Sequence, residues 1–264
     1  MYHGIFFCDI DGTLIPHGQA YASPSLVSLM REAPRSGWLF CIDSGRMYPS
    51  VRRAFPDMED HMVVTCSTGG RMFWQGKEIG DAKTIDRETV EKIAKDTLDE
   101  GYALLVAADE TLYILGREGA SLDALLARQH ATVRLIHHLD VVEGNIHQLT
   151  VVYPLSDPQA VPFFQQRWGG VLNVATSGSG LIDLAPANKG DGVRRVLDYF
   201  GVPVQHSWAF GDDENDVPMF QAVAYPFVME NASESLKRRF PLHCRSVEET
   251  VRDIMGSPAP GVKG

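Results

Sequence analysis

Near the amino end, an apolar run at residues 5–8 leads directly into two aspartates, Asp9 and Asp11, which are followed by Gly12 and Thr13. A short apolar run bounded by turn residues is typical of a buried strand. Asp9 then stands at the carboxyl end of the strand, where open α/β sheets hold their ligands. Because alternate residues of an extended chain point to the same side, a turn at Gly12 would leave both carboxylates facing one cavity.

Two carboxylates in one cavity repel each other unless a cation or a proton separates them. The pair therefore indicates a metal site or acid–base chemistry. It suits Mg²⁺-assisted phosphoryl transfer, in which an aspartate carries the phosphoryl group. The alternative interpretation is an aspartate that only caps a helix or forms an Asx-turn after the strand.

The wider pattern favours an α/β fold. Strand and helix patterns alternate in the first third of the chain, which predicts a parallel sheet with helices on both faces. Strands are predicted at residues 5–10, 38–42 and 62–66, and helices at 24–33 and 48–54. The alternation returns after residue 186, with helices at 190–200, 217–222 and 247–255 and strands at 207–210 and 225–229.

The middle of the chain has hairpin patterns instead. Helices are predicted there at 86–100, 121–129 and 157–168, and strands at 102–107, 111–115, 147–153, 171–175 and 181–184. Hairpins mixed with helices predict a separate α+β domain inserted into the first. We therefore predict a discontinuous, Rossmann-like core of residues 1–82 and 184–264 and an inserted domain of residues 83–183. The Pro/Gly-rich end, residues 257–264, is predicted to be disordered.

Composition narrows the partners and the compartment. The 264 residues carry a formal net charge of −10 without a run of Lys and Arg, so a nucleic-acid partner is not expected. The amino end does not read as a leader, and no apolar stretch approaches membrane-spanning length, which predicts a cytoplasmic protein without a membrane partner. The four cysteines have no CxxC spacing and are expected to be buried free thiols in a reducing compartment.

Two further segments carry groups that suit a phosphate. The Ser44 hydroxyl, at the end of the second predicted strand, could donate to a phosphoryl oxygen with support from the amide of Gly45. Lys189 stands just before a predicted helix, where a cation opposes the helix dipole, and a phosphate that needs neutralising is one reason for it to be there. The alternatives are a serine helix cap and a solvated surface lysine.

A second acidic cluster, residues 211–216, follows another apolar strand. The oxygens of Asp212, Asn215 and Asp216 suit a hard cation such as Mg²⁺, which takes one or two carboxylates together with water and substrate phosphate. A solvated acidic loop is the alternative for any acidic run. The preceding strand and Gly211 argue against that alternative.

These four segments, in this order, resemble the motifs of the haloacid dehalogenase superfamily of phosphatases: Asp-x-Asp-Gly-Thr, Ser-Gly-Arg, Lys-Gly and Gly-Asp-x-x-Asn-Asp. Their spacing resembles the Cof-like branch, in which a large C2-type cap lies between the second and third motifs. The resemblance covers essentially the whole chain. It implies Mg²⁺ as cofactor and an aspartyl-phosphate intermediate.

The resemblance also implies roles in catalysis and metal binding. Asp9 would be the nucleophile and Asp11 the general acid and base, while Lys189 would orient Asp9 and offset charge. Asp212 would ligate Mg²⁺ together with the Asp9 carboxylate and the Asp11 backbone carbonyl. Asp216 would support the metal through water.

By the same resemblance, four residues would bind the substrate phosphate beside Lys189: Ser44, Gly45, Arg46 and Asn215. One loop departs from the branch, because residues 68–71 read Thr-Gly-Gly-Arg where Asn-Gly-Ala is common. Arg71 is therefore a possible substrate contact. Further candidates for a leaving-group pocket are Arg117, Arg134, His137 and His138, although side chains of these types are more often found at the surface.

Together these observations predict a Mg²⁺-dependent phosphatase for a small phosphorylated metabolite, such as a sugar phosphate, a nucleotide or a phosphorylated cofactor. A phosphotransferase or sugar phosphomutase would use the same site and pass the phosphoryl group to a second hydroxyl. A non-catalytic phospholigand-binding regulator is a third interpretation, although pure binding would need cations more than carboxylates. The sequence leaves the substrate and the oligomeric state open.

Overall fold

The structure is a computed structural model that describes residues 2–116, 132–177 and 180–256. In this part of the chain the strands are β1 (Gly4–Cys8), β2 (Trp38–Asp43), β3 (Met62–Cys66), β4 (Arg71–Trp74), β5 (Lys77–Glu78), β6 (Ala103–Ala108), β7 (Thr111–Leu115), β8 (Thr132–Ile136), β9 (Ile146–Val152), β10 (Asn173–Thr176), β11 (Leu181–Ala185), β12 (Ser207–Gly211), β13 (Tyr225–Met229) and β14 (Leu242–Cys244). The α-helices are Pro24–Glu32, Tyr48–Ala54, Arg87–Asp99, Ala160–Trp168, Lys189–Phe200, Val217–Gln221, Glu234–Arg239 and Val247–Gly256.

The first sheet has the strand order β14-β13-β12-β1-β2-β3-β4-β5. Neighbouring strands from β14 to β3 are parallel, and β4 and β5 are added in antiparallel pairs. The chain places β2 and β3 on one side of β1 and later places β12 on the other side. The strand order therefore reverses at β1, and such a switch point is where open α/β sheets bind ligands.

The strand β1 is buried on both faces, which explains its continuous apolar sequence. Phe6 packs in one core cluster with Phe40 and Phe210, whereas Phe7 packs in the cluster on the opposite face. Helices cover both faces, as parallel sheets require. The polar residues that follow β1 consequently emerge at the edge of a rigid, well-packed sheet.

The second sheet has the order β10-β11-β9-β6-β7-β8, and its pairs are antiparallel except β7 with β8. The helices Arg87–Asp99 and Ala160–Trp168 cover one face and form a core of their own with it. The other face presents Leu105 and Ile114 to Met47, which follows the carboxyl end of β2. The second sheet thus lies over the edge of the first sheet at which β2 ends.

The predicted α/β class, with a parallel-sheet core and a second α+β unit, is confirmed. The predicted strand at 5–10 ends at Cys8, and the predicted helix at 157–168 begins only at Ala160. An Asx-turn delays that helix, since Asp157 Oδ1 accepts a hydrogen bond from the amide of Gln159. The elements that the patterns did not predict are β4, β5, β8, β14 and the helix Glu234–Arg239.

The predicted helix at 121–129 and the predicted tail at 257–264 lie outside the described residues. The division into a core and an insert at residues 83 and 183 stays a prediction, and β11 continues past the second of these positions to Ala185. Every helix in the described part of the chain is too short or too polar to cross a bilayer.

The four cysteines, Cys8, Cys41, Cys66 and Cys244, are all buried and have free thiols, as predicted. Burial raises the pKa of each thiol above its ordinary value. A protonated, buried thiol is a poor nucleophile, so these residues contribute packing to the core.

Candidate active site

Asp9 is the first residue beyond β1, and its amide still donates to the Phe210 carbonyl of β12 at 2.9 Å. Its side chain is largely buried, and its Oδ1 accepts a hydrogen bond of 2.6 Å from Lys189 Nζ. Lys189, only 1% exposed, also donates to Asp216 Oδ1 at 2.5 Å. Residues separated by 180 and 27 positions in sequence therefore meet at one buried ammonium group.

Lys189 is held inside the protein by the start of the helix Lys189–Phe200. The Asn188 side chain accepts from the Asp191 amide at 3.1 Å, and the Asp191 carboxylate accepts from the Asn188 amide at 2.9 Å. This capping box fixes where the helix begins. A side chain at Gly190 would collide with the backbone carbonyl of Pro218, so the close packing of this turn depends on the Lys-Gly pair.

Asp216 ties the acidic loop to Lys189. Its Oδ2 accepts hydrogen bonds from the amides of Asp212 at 2.9 Å and Asp213 at 3.1 Å, while its Oδ1 binds the ammonium group. The loop folds so closely over this carboxylate that Gly211 has no room for a Cβ atom. Asp216 is fully buried and connects Lys189 to the backbone of the acidic loop.

Asp212 has three polar neighbours. Thr13 Oγ1 donates to its Oδ1 at 3.4 Å, and Asn231 Nδ2 donates to its Oδ2 at 2.9 Å. His17 Nε2 lies 3.3 Å from the same Oδ2. No motif pointed to His17 or Asn231, because each reaches Asp212 from a loop whose path is set only by the complete fold.

The carboxylates of Asp9, Asp212 and Asp216 each offer an oxygen, and these atoms lie within 4.8 Å of one another. Burial raises the pKa of Asp9 to about 8, with Lys189 acting in the opposite direction and Asp216 adding to the rise. Burial and Asp216 raise the pKa of Asp212 to about 6. Both shifts reflect negative charge crowded into a dry site, which a hard divalent cation would offset. The residues therefore fit Mg²⁺.

A third carboxylate near Lys189 belongs to Asp43, to which no motif had assigned a role. Asp43 ends β2 and is fully buried; Thr65 Oγ1 donates to its Oδ1 at 2.7 Å, and its Oδ2 has no hydrogen-bond partner among the described residues. Burial raises the pKa of Asp43 to about 7, against the opposing effect of Lys189. Burial also acts to lower the pKa of Lys189, but the three surrounding carboxylates raise it above its ordinary value. The ammonium therefore keeps its charge.

Asp11 lies at the mouth of the site, with about half of its side chain exposed. Arg46 binds it with two hydrogen bonds, from Nε to Oδ2 at 2.9 Å and from Nη2 to Oδ1 at 2.5 Å. Such a bidentate pair is strong and directional. Arg46 was predicted to contact substrate phosphate, and a phosphate would have to compete with Asp11 for its guanidinium group.

Ser44 and Gly45 follow β2 at the same edge of the sheet as Asp9. Ser44 is buried, its amide donates to the Thr65 carbonyl at 3.0 Å, and its Oγ accepts from the Arg46 amide at 3.2 Å. The hydroxyl proton of Ser44 is left for an incoming acceptor. Asn215 is half-buried in the short 3-10 turn that ends at Asp216.

Arg71, named as a possible substrate contact, is already bound by groups of the protein. It is 6% exposed, and its guanidinium forms two 2.8 Å hydrogen bonds to the Glu78 carboxylate and one of 2.7 Å to the Asp109 carbonyl. Arg71 thus joins the edge of the first sheet to the β6–β7 turn of the second. Among the other candidates, Arg134, His137 and His138 are exposed on or just after the edge strand β8, and Arg117 lies outside the described residues.

Comparison with known proteins agrees with this architecture. Residues 6–251 match the haloacid dehalogenase-like hydrolase family. The 5-amino-6-(5-phospho-D-ribitylamino)uracil phosphatase YbjI of Escherichia coli is 20% identical over 234 residues, which are 86% of this chain and 85% of that protein. The structure of SMU.1108c from Streptococcus mutans matches with a TM-score of 0.87 at 17% identity, covering 96% of this chain and 99% of that one.

A second solved structure, the subclass IIB sugar phosphatase BT4131, matches with a TM-score of 0.81 at 16% identity, covering 95% of this chain and 98% of that one. The fold and its acidic edge define a hydrolase of the α/β class with a second α+β unit over the sheet. The chain belongs to the haloacid dehalogenase-like hydrolase family.

Proposed function

We propose that this protein hydrolyses a small phosphate monoester through an aspartyl-phosphate, with Asp9 as the nucleophile. The observation that carries the proposal is the buried Lys189 ammonium, 2.6 Å from Asp9 Oδ1 and 2.5 Å from Asp216 Oδ1. The Lys189 ammonium binds one carboxylate oxygen of Asp9 and thereby fixes the orientation of the other oxygen. A buried, oriented carboxylate beside a fixed cation suits attack on an electrophile that carries negative charge.

In the first step an Asp9 oxygen forms a bond to phosphorus while the bond from phosphorus to the leaving oxygen breaks. Asp11 gives its proton to the departing alkoxide. In the second step Asp11 takes a proton from water, the hydroxide oxygen bonds to phosphorus, and the bond from phosphorus to Asp9 breaks. Inorganic phosphate leaves, and both aspartates return to their starting states.

The remaining side chains bind and orient the phosphoryl group. Ser44, the Gly45 amide and Asn215 are assigned to its oxygens, and Lys189 offsets its charge. Arg46 is assigned to the phosphate after exchange from Asp11, which would also free that carboxyl for proton transfer. The family resemblance and the positions of these side chains support each of these proposed roles.

Asp9, Asp212 and the backbone carbonyl of Asp11 are proposed to hold Mg²⁺, with Asp216 supporting it through water. When bound, the ion supplies positive charge that stabilises the phosphoryl oxygens. The crowded carboxylates and their raised pKa values support this assignment.

For the substrate, the similarity to a 5-amino-6-(5-phospho-D-ribitylamino)uracil phosphatase and to a sugar phosphatase favours a phosphorylated polyol or sugar. We also propose that residues 83–183 form a cap that contacts the leaving group. A cytoplasmic location stays a prediction, as does the absence of nucleic-acid and membrane partners.

The test is hydrolysis of para-nitrophenyl phosphate by the purified protein with Mg²⁺ and with excess chelator. We expect activity that needs the metal, and at least ~10³-fold loss in Asp9→Asn with an unchanged circular dichroism spectrum. Activity of Asp9→Asn at a tenth of the wild-type rate would contradict the assignment of the nucleophile. Added glucose, with glucose phosphate measured as a product, separates hydrolysis from transfer to a second hydroxyl.

A further inference from the structure

The loop after β3 holds three successive residues in the left-handed region, with φ of 49° at Ser67, 56° at Thr68 and 80° at Gly69. Glycine adopts this conformation freely, whereas a β-branched residue such as threonine does so only with strain. The strained Thr68 is buried at the edge of the active site. Strain of this kind persists where the surrounding structure enforces it, and it is concentrated at functional sites.

The loop is tied to the segment that we assign to phosphate binding. The Thr68 amide donates to the Ser44 carbonyl at 3.2 Å, and the Ser67 amide donates to the Arg46 carbonyl at 3.0 Å. These bonds hold the Thr68 side chain beside Gly45. A Cβ atom at Gly45 would lie 3.6 Å from Thr68 Oγ1.

A buried chain of hydrogen bonds begins at Thr68 and runs through the second sheet. Thr68 Oγ1 donates to Gln148 Oε1 at 3.0 Å, Gln148 Nε2 donates to Thr150 Oγ1 at 3.4 Å, and Thr150 Oγ1 donates to Asp183 Oδ1 at 2.5 Å. The last residue of this series also lies beside Gly45, because Asp183 Oδ2 would be 3.5 Å from a Cβ atom at Gly45. Two oxygens that accept hydrogen bonds therefore stand next to the phosphate loop.

The donor-to-acceptor direction of these hydrogen bonds determines which kind of ligand group they can bind. The Thr68 hydroxyl proton is used by Gln148, so the lone pairs of Thr68 Oγ1 are left to accept a hydrogen bond. The neighbouring Asp183 carboxyl can also accept. Both oxygens match a donor such as a hydroxyl group.

We propose that Thr68 is a specificity-determining residue that accepts a hydrogen bond from a hydroxyl group of the leaving alcohol, close to the scissile phosphate. The proposal rests on the phosphatase function proposed above. The left-handed backbone is what turns the Thr68 hydroxyl toward Gln148 and presents its lone pairs beside Gly45. A phosphate ester whose alcohol carries a further hydroxyl group gains a hydrogen bond to Thr68 that a simple alkyl phosphate lacks.

The test compares kcat/KM for sn-glycerol 3-phosphate with that for n-propyl phosphate, which has the same carbon chain without hydroxyls. In the wild type we expect a ratio of about ten or more, as one hydrogen bond supplies roughly tenfold discrimination. Thr68→Val and Thr68→Ala should bring the ratio close to one. Thr68→Ser, which keeps the hydroxyl, should retain most of it.

A matched control separates this role from relief of backbone strain. Gln75 is also left-handed, with φ of 52°, but it is exposed in the β4–β5 turn. Gln75→Gly should leave the ratio unchanged. Thr68→Ala relaxes the crowding of the branched side chain, so it provides the measurement even where Thr68→Val folds poorly.

Para-nitrophenyl phosphate makes the two proposals separable. A wild-type ratio near one, or an unchanged ratio in Thr68→Ala, with para-nitrophenyl phosphate still hydrolysed, overturns the role of Thr68 and leaves the phosphatase function intact. If the wild-type protein does not hydrolyse para-nitrophenyl phosphate in the presence of Mg²⁺, the proposed function itself is overturned.

Discussion

A single buried lysine organises the polar centre of this protein at the scale of residues. Lys189 is 1% exposed and binds Asp9 and Asp216, the second of which is fully buried. A buried ion pair contributes little net stability when it is complete, but removing one partner leaves an uncompensated charge. The same ammonium therefore matters for stability and for the proposed chemistry.

We expect Lys189→Met to lower the free energy of unfolding by about 3–5 kcal/mol, because it leaves buried carboxylates without their cation. Urea unfolding at pH 7 in chelator measures the loss. Adding Asp216→Asn should restore part of it, since the second change removes one of the uncompensated charges. A single variant as stable as the wild type would contradict the electrostatic role of Lys189.

Asp43 leads to a prediction about pH. Its folded-state pKa of about 7 lies above the ordinary value of 3.8, so the folded state binds more protons between these values. The stability due to this group is fully present below its unfolded pKa and is lost as the pH rises through 7. Asp43→Asn should flatten that fall and be more stable than the wild type at pH 8 by about 1–3 kcal/mol. Urea unfolding at pH 5 to 8 measures both, and parallel curves would refute the assignment.

At the scale of elements, long strands buried on both faces were predictable and short edge strands were not. β1 and β2 have continuous apolar sequences because helices cover both sides of them. β5 has only two residues, Lys77 and Glu78, both of them exposed. Its position is fixed by pairing with β4, which is tertiary information that no local pattern contains.

The sequence did not show, for a related reason, that Arg71 is already bound by groups of the protein. Its partners, Glu78 and the Asp109 carbonyl, come from β5 and from the turn after β6. A buried arginine with bound carboxylate and carbonyl partners joins two elements. A sequence shows the charge of the side chain but not the partners that already occupy it.

Arg71→Met should therefore loosen the contact between the two sheets, at a cost of about 1–3 kcal/mol from the groups left unpaired. We expect faster hydrogen exchange at the Asp109 amide, which donates to the Asn145 carbonyl at 3.0 Å. The matched control is Arg52→Met, since Arg52 is half-exposed and pairs with Glu59 on the surface, where such bridges contribute little. Equal exchange in the two variants would rule out a joining role for Arg71.

At the scale of the whole molecule, the residues of the candidate site form two groups. Some are brought together by the ends of strands and helices, and others by loops. Asp9, Lys189 and Asp212 follow strands or begin a helix at the same sheet edge, so their motifs and the prediction of a parallel sheet already indicated that they lie close together. His17 and Asn231 contact Asp212 from loops, and a loop path depends on packing throughout the chain. The Arg46–Asp11 pair likewise joins two motifs that had been given separate roles.

Removing the second sheet tests whether the first sheet alone carries the catalytic groups. The ends of the proposed cap lie close together. The Lys83 amide donates to the Gly70 carbonyl at 2.9 Å, and a Cβ atom at the neighbouring Gly69 would collide with the Asn188 carbonyl. A short Gly/Ser linker can therefore replace residues 83–183 without stretching the first sheet.

The shortened protein retains Asp9, Asp11, Lys189 and the acidic loop, so we expect measurable Mg²⁺-dependent hydrolysis of para-nitrophenyl phosphate. Its preference among natural esters should collapse, because Gln148, Thr150 and Asp183 are gone. A matched Asp9→Asn variant of the shortened protein controls for residual contaminating activity. Circular dichroism and gel filtration check that it is folded and monodisperse, since the cut exposes apolar surface such as Met47. A folded variant without activity on the activated ester would show that the second sheet supplies a catalytic group, and the proposed division would be wrong.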